Sequence, residues 1–210
     1  MANIFAVYSA PNQSLDFYYR DNVPNENEEF EGKLVTQVFN KLDNTNYGST
    51  SGRGYAPWYT YRSTITNITI VDDIYPLSTA YWFYYIQNVP TADFTKLHTD
   101  YVTDMSGMFS WSGFTSLDLS HFNTSNVIYM EHTFDRLEKL TTLNIDNWDT
   151  SNVITMKDMF HYCTKLETLN ISHFNTSNVV NMSGMLSYLK APINCANFNT
   201  GKVTDMSKMF

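Results

Sequence analysis

The chain has 210 residues, 43% of them hydrophobic and 16% aromatic, with 21 acidic against 13 basic side chains and a net charge of −8. The acid excess lies mainly beyond residue 62, where 14 acidic residues face 8 basic ones, so nucleic acid and anionic membrane surfaces are excluded as partners, since both want a basic stripe. No stretch approaches the roughly 20 apolar residues of a membrane span, so direct membrane insertion by this chain is excluded as well.

Residues 1–62 read as an N-terminal β-rich capping module. Two apolar runs, 3–8 and 14–19, flank Pro11-Asn12-Gln13, which predicts a hairpin. Residues 22–31 are acidic and turn-rich, residues 33–39 predict a third strand, and residues 44–54, rich in Asn, Gly, Ser and Thr, predict a loop. Met1-Ala-Asn-Ile4 leads straight into a strand-like run without a charged n-region or an apolar h-region, so no signal peptide is expected in this chain.

From residue 63 the chain repeats. Phe122-Asn-Thr-Ser-Asn-Val127 returns as Trp148-Asp-Thr-Ser-Asn-Val153 and Phe174-Asn-Thr-Ser-Asn-Val179, and Met105, Met130, Met156, Met182 and Met206 are spaced by 25, 26, 26 and 24 residues. A period of that size denotes stacked supersecondary units. The first apolar frame, LxxLxLxxF, holds Phe114, Leu117, Leu119 and Phe122; then Leu140, Leu143, Ile145 and Trp148; then Leu166, Leu169, Ile171 and Phe174. Its LxL core predicts a short strand with two side chains inward and one outward. The second frame, MxxMF, holds Met105, Met108 and Phe109; Met156, Met159 and Phe160; Met206, Met209 and Phe210. Spacing of i, i+3, i+4 predicts one face of a helical turn, with Asp104, Thr155, Asn181 and Asp205 standing where an N-cap belongs. The expected architecture is therefore a stack of short parallel strands and short helical turns. It comprises about five to six repeats of 24–26 residues over 63–210, the last truncated.

This text, LDLSxFNTSNVxxMxxMF from Leu117 onward, resembles the BspA-like bacterial surface proteins built from 26-residue, leucine-rich-repeat-like repeats. The resemblance covers residues 63–210. It implies an α/β repeat solenoid, leucine-rich-repeat-like, in a cell-surface or secreted protein that adheres to something, and it supplies no ligand. The absent signal peptide then implies that the leader was removed or that export differs, as in a phage particle.

Chemistry finds little to work with. Cys163 and Cys195 occupy different slots of the repeat, so both read as buried small hydrophobes with free thiols rather than a disulfide. His121 and His173 share one slot, as a structural position does, and no nucleophile elbow, zinc motif, phosphate loop or dinucleotide motif is present. No enzyme activity, cofactor or metal is expected. Two surfaces could bind. One is the outward strand row of Asp93, Asp118, Asn144, Asn170 and Asn194, flanked by Ser120, Asp146 and Ser172, which is small, polar and acidic. The other is aromatic, with Tyr84, Tyr85 and Trp111 outside the core frames. The expected function is adhesion or recognition of a host or neighbouring-cell protein or glycan through the strand face. The alternative is a structural spacer or particle component that projects a neighbouring domain. Met206, Met209 and Phe210 end the chain without a polar cap, which predicts either a longer protein or end-to-end self-association.

Overall fold

The computed structural model describes residues 2–40, 42 and 55–210, and the loop expected over 44–54 lies outside the described residues. Strands β1 (Asn3–Ser9) and β2 (Ser14–Arg20) form the expected antiparallel hairpin, closed at Ser9 and Ser14. Two further short strands, β3 (Glu29–Phe30) and β4 (Lys33–Leu34), pair only with each other. The single strand expected over 33–39 is thus split, its second half being β5 (Gln37–Asn40), antiparallel to β1. Strand β6 (Asn67–Ile70) adds in parallel to β2, giving the order β5-β1-β2-β6.

Alternation along these strands sends side chains to opposite faces. Phe5, Val7 and Tyr18 pack with Val35 in a small outer cluster, whereas Ile4, Ala6, Tyr8, Leu15 and Phe17 enter the main core. A 3₁₀ helix over Pro57–Tyr61 buries Trp58 there. Trp58 meets Phe17 edge-on at 5.2 Å and donates its indole N–H to the Trp82 carbonyl at 2.6 Å. Phe17 also stacks on Trp82 at 5.3 Å, so aromatic packing seats the N-terminal sheet against the first repeat copy.

The rest of the chain departs from expectation. Among the described residues there is no α-helix, and the fold is nearly all β and turn, in small sheets of mixed direction. The α/β repeat solenoid of strands and helical turns is therefore not what the chain forms. Only two LxL segments become strands, β7 (Ser116–Asp118) and β8 (Thr142–Asn144), which pair in parallel with Leu117 opposite Leu143 and Asp118 opposite Asn144. The third LxL segment, around Leu169, forms none.

The second frame fails as a helix for a backbone reason. The residues two and six positions after each marker methionine have positive φ: Gly107 and Trp111, His132 and Arg136, Asp158 and Tyr162, Gly184 and Tyr188. Left-handed residues cannot sit inside a right-handed helix. Instead the segment is a run of linked turns. Met108 N–H donates to the Met105 carbonyl and Ser110 N–H to Gly107, while Met105, Gly107, Phe109 and Trp111 donate to Tyr129, Glu131, Thr133 and Asp135 of the next copy. Alternate amides thus close a local turn or cross to the neighbour. The presumed cap residues start these turns, as Asp104 accepting from Ser106 N–H at 2.8 Å shows, and they form a line of parallel bridges from Ser78 through Asp104, Tyr129, Thr155 and Asn181 to Asp205. The inward side chains at i, i+3 and i+4 still share one face. Phe83, Phe109, Phe134 and Phe160 accordingly stack in a column at 5.5–5.8 Å.

Candidate binding surfaces

The Asn-Thr-Ser-Asn segments are held by their own side chains. The buried hydroxyls of Thr124, Thr150 and Thr176 donate to the carbonyls of Asp149, Asn175 and Asn199 in the next copy at 2.9–3.0 Å. Asn126, Asn152 and Asn178 donate backward to Asp100, Ser125 and Ser151 at 2.7 Å. This internal network accounts for the repeated text without a ligand.

The strand row is similarly occupied. Asp118 accepts from the hydroxyl and N–H of Ser120, and these bonds hold its carboxyl below its ordinary range. Asn170 accepts from Ser172 in the same way and donates to Asp146 at 3.2 Å. Asp93 and Asn194 accept from the amides of Thr95 and Ala196. Asn144, Asp146, Asn170, Ser172 and Asn194 come together around one shallow hollow of about 480 Å³. Asp93, Asp118 and Ser120 do not line it, and Trp111 stands elsewhere.

A different column is open to solvent. Leu77, Ile154 and Val180 are exposed and Ile128 is half-exposed, all two residues ahead of the frame position. With Tyr101, 59% exposed, they line a trough of about 810 Å³, edged by Asn126, Asn152, Asn178 and Lys202. Along the column the backbone is engaged, the amides of Thr103, Ile128, Ile154, Val180 and Thr204 each donating to the preceding copy. Sequence reasoning missed this surface, although the column Leu77, Ile128, Ile154, Val180 is visible once the copies are aligned.

The second left-handed position builds a third surface. Tyr85 stacks on Trp111 at 5.6 Å, the Arg136 guanidinium lies 4.6 Å from Trp111 and 4.3 Å from Tyr162, and Tyr162 stacks on Tyr188 at 4.1 Å. Trp111, an expected contact residue, is therefore sandwiched, and both ring faces are taken. Beside this ladder His161 pairs with Asp135 at 2.8 Å, and His132 lies 3.5 Å from Asp135 and 3.7 Å from Asp158. No group of side chains suited to a metal occurs among the described residues. Nor, among those residues, is any helix long and apolar enough to cross a membrane. The two thiols are unpaired, and burial pushes that of Cys163 up to about 12.

Residues 78–194 and 134–210 match a family described as Mycoplasma protein of unknown function, DUF285. The chain belongs to this family. The match begins at Ser78, where the line of bridges through Asp104 and Tyr129 starts, and takes in the aromatic ladder and all of the trough but Leu77, while leaving out the N-terminal sheet. No curated protein and no solved structure matches the chain.

Proposed function

We propose that the chain is a non-catalytic recognition module, displayed at a cell surface or secreted, that holds a protein partner along the trough. The observation that carries this reading is the apolar column of Leu77, Ile128, Ile154 and Val180 on successive copies, interrupted by Thr103 and joined in the trough by the exposed ring of Tyr101. Contiguous exposed apolar surface on a folded chain marks an interaction site more often than it is left idle. A glycan is the weaker fit, because sugars need converging polar groups and the trough lining is mostly apolar. With the amides along its column already bonded to the preceding copy, the trough cannot add a partner strand there, so recognition rests on side chains. The resemblance to BspA-like surface proteins supports the cellular setting.

The test is a binding panel of extracellular-matrix and cell-surface proteins, with an array of glycans alongside. The pair Ile154→Lys and Val180→Lys should lose the protein bound by the wild type. The triple variant Asp118→Ala, Asn144→Ala, Asn170→Ala should keep it. A trough variant that binds as the wild type does would refute this reading, and a panel with no protein binder would favour the spacer.

A further inference from the structure

A separate cleft of about 360 Å³ lies between Gln87, the Trp111-Ser112-Gly113 corner and the segment carrying Arg136, Lys139 and Lys165. Its volume is near the lower limit for small-molecule pockets, about 300–1,000 Å³. In a chain of net charge −8 it gathers three cations against one acid, Glu138. That acid pairs with Arg136 alone, at 4.0 Å between Nη1 and Oε1 and beyond hydrogen-bond reach, and leaves both lysines without a carboxylate partner among the described residues. Lys139 reaches only the Gln87 carbonyl at 3.3 Å, and Lys165 is exposed with no ion pair among the described residues.

Two further observations point to a ligand. Ser112 lines the cleft, is 5% exposed, and its Oγ has no hydrogen-bond partner among the described residues. Buried hydroxyls are normally satisfied, and this one stands in the cleft wall with its hydrogen-bonding capacity unused by the described residues. Arg136 is clamped by the faces of Trp111 and Tyr162, yet its guanidinium makes no hydrogen bond to a described residue. Its N–H donors lie in the guanidinium plane and suit a planar or tetrahedral oxyanion. Stacking fixes the fork in place, so little side-chain entropy is lost on binding.

We infer that this cleft is an oxyanion site for a sulfate or carboxylate group carried on a saccharide. Arg136 and Ser112 would hold the oxygens, Lys139 and Lys165 would supply the field, and the remaining volume would admit a sugar ring. The site shares no residue with the trough, so it stands or falls separately from the protein-binding reading.

Titration calorimetry at low salt would use a sulfated disaccharide, a glucuronate-terminated disaccharide, the unsulfated parent sugar and inorganic sulfate as probes. One or both acidic sugars should bind saturably and the neutral parent should not. The double variant Lys139→Ala/Lys165→Ala, at exposed positions that leave folding intact, should weaken the binding tenfold or more, and Ser112→Ala should weaken it several-fold without a change in melting. The inference is overturned if no acidic sugar binds, if the double variant binds as the wild type does, or if inorganic sulfate binds as tightly as the sulfated sugar.

Discussion

Substituting Gly107 by Ala separates the linked-turn backbone from a helical one, because the two give opposite signs. In a helix interior the change gains about 0.8–1.0 kcal/mol. In the structure Gly107 has φ of +60°, its N–H donates to the Glu131 carbonyl at 2.9 Å, and its carbonyl accepts from Ser110 N–H at 3.1 Å. Holding an L-residue in that left-handed conformation costs roughly 1–2 kcal/mol. An added Cβ would also lie 2.3 Å from Cε1 of Tyr81, so that ring must be displaced. Overpacking of this kind adds about 1–3 kcal/mol, for a total loss of about 2–5 kcal/mol. At about 2–4 °C per kcal/mol for a chain of this size, Tm should fall by at least about 4 °C. Asp158→Gly is the converse. It relieves a non-glycine at φ of 51° and gives up a 3.7 Å approach to His132 and the cover of its carboxylate over Gly184, so it should be neutral or stabilising, where a helix would lose about 1 kcal/mol. Calorimetric melting of both variants decides the matter. A Gly107→Ala protein melting at or above the wild-type temperature would refute the reasoning.

Burial sets a second expectation: Leu117→Ala, at 2% exposure, should cost about 2–5 kcal/mol in urea denaturation, and Leu143→Ala, only half-buried in the same column, clearly less. Native protein treated with iodoacetamide at pH 8 should be labelled at half-buried Cys195 and spared at Cys163, whose thiol is buried, pushed up to about 12 and bonded to the Phe134 carbonyl at 3.1 Å; mass spectrometry of the labelled peptides checks this. Hydrogen bonds from Arg20 to Asp72, from the Thr95 amide to Asp93 and from Ser120 to Asp118 hold these carboxyls below their ordinary value of 3.8. Their contribution is thus fully present above that value and is lost as pH falls through the lower folded-state values. Melting temperature should stay level down to about pH 4 and drop below it, and the drop should shrink in Asp118→Asn.

The hairpin β1–β2 was legible because its signal is local, two alternating runs around Pro11-Asn12-Gln13. The register of Leu117 on Leu143 and Asp118 on Asn144 was legible because the repeat length alone sets it. The second frame was not, because i, i+3, i+4 spacing describes linked turns as well as a helix, and the positions that distinguish them carry glycine only at Gly107 and Gly184, the others holding residues such as His132, Arg136, Asp158 and Tyr162. Those residues keep left-handed backbones because their amides bond the following copy, a constraint that no local window contains. Similarly, Trp111 could be marked as lying outside the core frames, but its partner Arg136, 25 residues on, becomes its neighbour only when the copies lie side by side. The orphaned hydroxyl of Ser112 leaves no trace in sequence at all.

The crossing amides have a mechanical consequence. Each copy is fastened to the next by bonds that point from copy to copy, so tension between the chain ends loads one interface at a time. The outermost copy peels before the one beneath it feels the load. Every released unit of 24–26 residues adds roughly 80–90 Å of contour length. Stretched from its C-terminal end, the chain should therefore yield as a ratchet of small, similar extensions and absorb work at each, in contrast to the single rupture of a sheet sheared along its strands.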